Sequence, residues 1–199
     1  LNLPLEVHGV VAATENMPSG TAIRPGDVVR ASDGTSIEIL NTDAEGRLTL
    51  ADALVFIQKE NPDVIIDLAT LTGACVVALG EEIAAMYTSD EQLADDLVSA
   101  SKEAGEHLWH MPLHTSYDKL IDSKIADVRN IATSPYGGSI TAALFLKRFV
   151  NEKQTWAHID IAGPAYAEKS LNPYTQFGAT GYGVATLTHY LELLAADSE

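Results

Sequence analysis

Asp43, Glu45 and Arg47 put two carboxylates and a guanidinium within five residues, in the stretch Asn41-Thr42-Asp43-Ala44-Glu45-Gly46-Arg47-Leu48. Carboxylate oxygens are hard ligands suited to divalent cations. A guanidinium can hold a small anion through paired hydrogen bonds. The same octet also reads as a capping box, with Thr42 accepting from a free helical N–H and Glu45 reaching back. Two residues fit that reading poorly. A glycine in a first turn costs up to about 1 kcal/mol relative to alanine. Arg47 would put a positive charge at the positive end of the helix dipole, unfavourable by about 0.3 kcal/mol or more. Cations held by Asp43 and Glu45, or an anion beside Arg47, would account for both.

The elements around the octet would place it where α/β proteins carry their sites, at the exit of a strand and the start of a helix. Thr35–Leu40 is partly alternating and rich in β-branched residues, as in a strand. From Leu48 to about Lys59, the spacing of Leu50, Ala53, Leu54 and Ile57 predicts a helix, which Asn61-Pro62 should stop. Val28–Ala31 would pair with Thr35–Leu40 as a hairpin through Ser32-Asp33-Gly34. Leu5–Ala12 reads as a strand buried on both faces, with His8 as a hydrogen-bonded core histidine.

Further along, Asp63–Ala69 reads as a buried strand whose Asp67 needs hydrogen-bond partners. It runs into Thr70-Leu71-Thr72-Gly73-Ala74, a loop of small residues that lets backbone N–H groups approach a ligand. Ile83–Thr88 reads as a strand, Asp90 to about Gly105 as an acidic amphipathic helix, and about Ser139–Val150 as another helix. Trp156–Gly163 reads as a strand with Ala157, Ile159 and Ile161 on one side and Trp156, His158 and Asp160 on the other. Residues 164–180 form a loop, and Val184, Leu187, Leu191 and Leu194 mark a last helix. His107, His110 and His114 have zinc-like spacing but no accompanying cysteine. Their neighbours Leu108, Trp109, Met111 and Leu113 read as core packing. Strands alternating with helices imply an α/β class, with a mixed, largely parallel sheet flanked by helices.

The formal net charge of −16, from 28 acids and 12 bases in 199 residues, argues against nucleic acid and against anionic membrane surfaces. The single Cys75 excludes an internal disulfide, and a cytoplasmic location is expected. The longest uncharged apolar stretch, Leu68–Gly80, is too short for a bilayer.

The octet, followed by Ala51-Asp52-Ala53, resembles the signature of the cytosolic leucyl aminopeptidases, the M17 peptidase family. Glu15–Gly20, Arg24–Asp27, Asp67–Ala74, Trp156–Gly163 and Gly178–Gly181 are similar to that family in the same order. The resemblance implies a metal-dependent exopeptidase that releases N-terminal amino acids, of leucine type, from peptides by two-metal hydrolysis. Asp43 and Glu45 would then be metal ligands, with zinc or manganese as the metals. Arg47 would be the catalytic side chain, holding a bicarbonate ion that takes the proton from the attacking water. Backbone amides at Ala44, Gly46 and Leu71 would complete the anion site. Asn41, Thr70, Gly73 and Ala162 would contact the substrate. The resemblance also implies a homo-oligomer, a hexamer in the family.

The family's N-terminal domain and the first segment of its catalytic domain have no counterpart in these residues. That segment carries a ligand lysine, two ligand aspartates and a catalytic lysine. Residues 1–199 are therefore expected to be the C-terminal part of the catalytic domain, holding half of the metal site. Weak or no metal binding and little peptidase activity are expected of them alone, and a non-catalytic folded or assembly module is the alternative.

Overall fold

A computed structural model describes residues 1–196. In chain order the elements are β1 (Val28–Arg30), β2 (Ser36–Glu38), α1 (Gly46–Ile57), β3 (Val64–Ala69), α2 (Gly73–Leu79), β4 (Ile83–Thr88), α3 (Glu91–Ala104), β5 (His107–His110), β6 (Val128–Arg129), α4 (Gly138–Lys147), β7 (Thr155–Asp160), β8 (Tyr166–Ala167), β9 (Gly178–Ala179) and α5 (Val184–Ala196). The class is the mixed α/β one that the alternation predicts. The strands are divided among three sheets, and the chain among two compact units.

One unit comprises residues 8–64 and 113–154. Its sheet has the order β1-β2-β6. β1 and β2 form the expected antiparallel hairpin, with Val29 opposite Ile37. β6 joins β2 in parallel, with Ile37 beside Val128. α1 packs on α4, whose Ala142, Phe145 and Leu146 are buried. Asn61, in a left-handed conformation, closes the turn after α1 where the stop signal falls.

The other unit comprises residues 1–7 and 65–112, with Thr155 onward. Its main sheet has the order β3-β7-β4-β5. β4 runs antiparallel to β7, with Tyr87 opposite His158, and parallel to β5. Both faces of β7 are buried, so its polar His158 and Asp160 must find partners inside the protein. α3 starts at an Asp90 cap, where the side chain accepts from the Leu93 N–H, and ends at the left-handed Gly105. α3 packs on α5, which buries Thr186, Tyr190 and Ala195 and leaves Val184 exposed. Glu106 accepts hydrogen bonds from the Gly183 and Thr186 N–H groups at the start of α5, fixing the entry of that helix.

Several expectations are corrected. Leu5–Ala12 is not a strand: Val7, His8 and Val11 are exposed, Val11 at 86%. β-branched composition favours an extended chain, but a strand needs a ladder partner for its backbone groups. Trp109 is exposed too, because alternation along β5 turns Leu108 inward and its neighbours outward. Gly73–Leu79, read as part of a loop and its apolar continuation, is the helix α2. Among the described residues no helix is long and apolar enough to cross a membrane.

Candidate functional site

In the unit containing the octet, Thr42–Ala44 forms a single 3-10 turn, and α1 begins only at Gly46. This defeats the capping box. Asn41, not Thr42, is the capping side chain, accepting from the Asp43 N–H at 2.9 Å. Glu45 flanks α1 without any side-chain cap bond, because the extra turn puts it in helical geometry itself. Its carboxylate instead accepts from Asn16 Nδ2 at 2.8 Å. The Asp43 side chain stays exposed, and Gly46 is the first residue of the helix. Neither carboxylate is consumed by helix capping.

What holds this turn is a residue about ninety positions away in the chain. Asn130, fully buried at the end of β6, accepts from the Leu40 N–H at 2.9 Å through Oδ1 and donates to the Asn41 carbonyl at 2.6 Å through Nδ2. Its own N–H continues the β2–β6 ladder to the Glu38 carbonyl. Its carbonyl receives Arg47 Nη1 at 2.9 Å. The octet is thus pinned to a strand some ninety positions later. The only sequence signal was a polar residue closing a short β-rich run, and many turns carry one. Of the amides expected to bind an anion here, that of Ala44 already donates to the Asn41 carbonyl at 3.3 Å.

In the other unit, Thr70, Leu71, Gly73 and Ala162 lie on two segments that leave the adjacent strands β3 and β7. The Ile161 N–H donates to the Ala69 carbonyl, extending the pairing of those strands. Asp160, fully buried, accepts from the Leu71 N–H at 3.0 Å and from the Ala162 N–H at 3.2 Å. Its second oxygen accepts from the Thr72 hydroxyl at 2.7 Å. Thr72 caps α2, accepting from the Cys75 N–H. Burial, with the Asp160 charge next in weight, raises the Cys75 thiol to a pKa of about 11. The Leu71 N–H, expected to face an anion, is therefore engaged with a carboxylate of its own unit.

Asp67 has the partners that a buried carboxylate requires. It accepts from Trp156 Nε1 at 2.7 Å and pairs with His158 Nδ1 at 2.6 Å. His158 stacks on Tyr87 across the β4–β7 pair. This network is wholly enclosed and serves the sheet. His107 and His110 lie in β5, three positions apart and so on opposite faces, while His114 belongs with Tyr117 to the unit of the octet and sets its ring edge against that residue. Among the described residues no three histidine, cysteine, aspartate or glutamate side chains gather as a metal site.

The family model described as "Cytosol aminopeptidase family, catalytic domain" matches residues 1–188. The chain belongs to the cytosol aminopeptidase family. Relatives in this family include a probable cytosol aminopeptidase of Synechococcus sp. (strain JA-3-3Ab), 60% identical over 98% of this chain and 38% of its own length. Another, from Prochlorococcus marinus (strain MIT 9313), is 60% identical over 94% of this chain and 38% of its own length. Among solved structures, a mutant of tomato leucine aminopeptidase is similar with a TM-score of 0.85 and 49% identity, covering 90% of this chain and 34% of that one. The bottromycin maturation enzyme BotP in complex with Mn gives a TM-score of 0.86 and 44% identity, covering 90% of this chain and 40% of that one. The chain thus spans well under half the length of the cytosol aminopeptidases it matches.

Proposed function

We propose that this chain supplies part of the catalytic machinery of a metal-dependent aminopeptidase that releases N-terminal residues of leucine type from peptides. The observation carrying this reading is the state of Asp43 and Glu45. Both carboxylates stand on a turn locked by Asn130 and are left over from helix capping, in a chain matched to a peptidase catalytic domain over nearly its whole length. Their oxygen chemistry suits hard divalent ions such as manganese, and zinc also accepts carboxylate ligands. A solved relative is described in complex with Mn. Two metal ions at such a site would polarise the peptide carbonyl and lower the pKa of an attacking water.

In this reading Asp43 and Glu45 hold the metals, and Asn16 orients the Glu45 carboxylate through its hydrogen bond. Arg47 and the Gly46 amide hold the bicarbonate ion that receives a proton. Asn41, Thr70, Gly73 and Ala162 contact the substrate's N-terminal residue. The intact enzyme is cytoplasmic and assembles as a hexamer. Two carboxylates make an incomplete metal site, so the 199-residue chain alone binds metal weakly and turns over little or no peptide. Leucyl-p-nitroanilide hydrolysis with added Mn²⁺ or Zn²⁺ is the direct assay. Family-like turnover by the purified chain would overturn the claim of incompleteness. Failure of Mn²⁺ to broaden the amide resonances of residues 43–47 at millimolar metal would overturn the ligand assignment.

The competing reading, a non-catalytic module, has one observation in its favour. The Leu71 and Ala44 N–H groups and the Arg47 guanidinium are all engaged inside the chain. Bicarbonate titration followed at Gly46 and Arg47 separates the two readings.

A further inference from the structure

Asp160 belongs to none of the roles above, yet its carboxylate accepts hydrogen bonds from both of the segments proposed to contact substrate. Oδ1 takes the N–H groups of Leu71 at 3.0 Å and Ala162 at 3.2 Å, with a longer contact to Thr72 N at 3.4 Å. Oδ2 takes the Thr72 hydroxyl at 2.7 Å. The Thr72 oxygen is itself the cap of α2, so its hydroxyl hydrogen is committed to Asp160 and a lone pair to the Cys75 N–H. The Asp160 main chain takes part as well, its carbonyl accepting from Cys75 Sγ at 3.7 Å.

The consequence is geometric. Thr70 and Gly73 are exposed and Ala162 half-buried. With small or absent side chains, these positions have little packing of their own to hold them. A loop of this kind would ordinarily satisfy its N–H groups with water and sample many conformations. Here one buried carboxylate collects the donors of both segments. A buried polar network with its members satisfied holds a single arrangement.

We propose that Asp160 is a positioning residue for substrate recognition. By gathering the N–H groups of Leu71 and Ala162 and the Thr72 hydroxyl, it sets the spacing between Thr70–Gly73 and Ala162 that receives an apolar, leucine-sized N-terminal side chain. This rests on the proposed substrate contacts at Thr70, Gly73 and Ala162. Asp160 does not itself touch the substrate. Its charge is spent on holding the loop, and the loop's small residues leave room for the substrate.

The test uses the 199-residue chain, with free L-leucine as the probe and amide NMR as the readout. Leucine should shift the Thr70, Gly73 and Ala162 resonances of the wild type at millimolar concentration. Asp160→Asn keeps an oxygen acceptor for the N–H groups and can donate to the Thr72 oxygen, so it should bind leucine within about threefold of the wild type. Asp160→Ala should weaken binding by about tenfold or more, a loss within the range seen when outer-shell support of a site is removed. Thr72→Ser and Thr72→Val form a second pair should Asp160→Ala not fold: the first retains the hydroxyl and should retain leucine binding, and the second should lose it. Folded Asp160→Ala with undiminished leucine binding overturns the positioning role and leaves the substrate contacts standing. So does undiminished binding in Thr72→Val if Asp160→Ala does not fold. No leucine-dependent shift at Thr70, Gly73 and Ala162 in the wild type overturns the substrate contacts and this role together.

Discussion

Asp43 and Glu45 in one unit, and Asp67 and Asp160 in the other, are carboxylates borne by strands or by the turns that follow them. Their environments are opposite. Asp67 and Asp160 are buried, and each gathers donors from elements about ninety positions away: Trp156 and His158 for Asp67, Leu71 and Thr72 for Asp160. Asp43 and Glu45 face outward to different degrees, and the one side-chain bond described for them comes from Asn16. A buried carboxylate must be satisfied by the protein and so becomes architecture. A carboxylate at the surface retains oxygen lone pairs for a cation. The difference shows how one residue type builds the scaffold in one region and remains available for chemistry in another.

The sharpest way to break this comparison is Asp67→Ala. It leaves Trp156 Nε1 and His158 Nδ1 without their buried acceptor, and a loss of roughly 3–5 kcal/mol is expected in urea unfolding. A loss under about 1 kcal/mol would mean that Asp67 is no more architectural than Asp43. Asn130→Ala comes next. It removes the acceptor for the Leu40 N–H and the donor to the Asn41 carbonyl, and should cost roughly 1–3 kcal/mol. It should also increase amide exchange across residues 40–46. Unchanged exchange there would show that the turn holds itself.

A smaller effect is expected from Cys75. Its folded pKa, raised from 9.0 to about 11 mainly by burial, means the unfolded chain releases the thiol proton first as pH rises. The stability it contributes is therefore intact below pH 9 and lost progressively as pH rises towards 11. Comparison with Cys75→Ala across that interval isolates the effect; identical pH slopes would refute it. The smallest stability change belongs to Asp43→Asn combined with Glu45→Gln, within about 0.5 kcal/mol. The same variant should abolish Mn²⁺ broadening at residues 43–47. A large stability loss without any change in the metal response would place these two residues with the architectural pair.

Much of the local structure was legible because its determinants are local. Asp90 and Gly105 bracket α3 as a cap and a left-handed stop. Asn61-Pro62 ends the first helical run, and Ser32-Asp33-Gly34 turns the hairpin. Three of the departures share one cause, dependence on distant partners. Thr42 and Glu45 matched a capping box, but the extra 3-10 turn moved the helix start and the cap to Asn41. Val7–Ala12 carried strand composition without a ladder to join. Asn130 was invisible as an anchor, since nothing near it in the chain points to Leu40 or Asn41.

The sequence alone determined the octet's unusual chemistry, with glycine and arginine where a simple cap would avoid both. It also determined the family resemblance, which the catalytic-domain match over residues 1–188 bears out. Only the tertiary structure decided which carboxylates are spent and which remain. Asp67 was read as needing partners, but Trp156 and His158 could be named only once β3 and β7 lay side by side. Asp160 could be recognised as the holder of the Leu71 and Ala162 amides only in the same way. The reason is physical: a residue's type fixes how many hydrogen bonds it can make, while the fold decides which groups come within about 3 Å to make them.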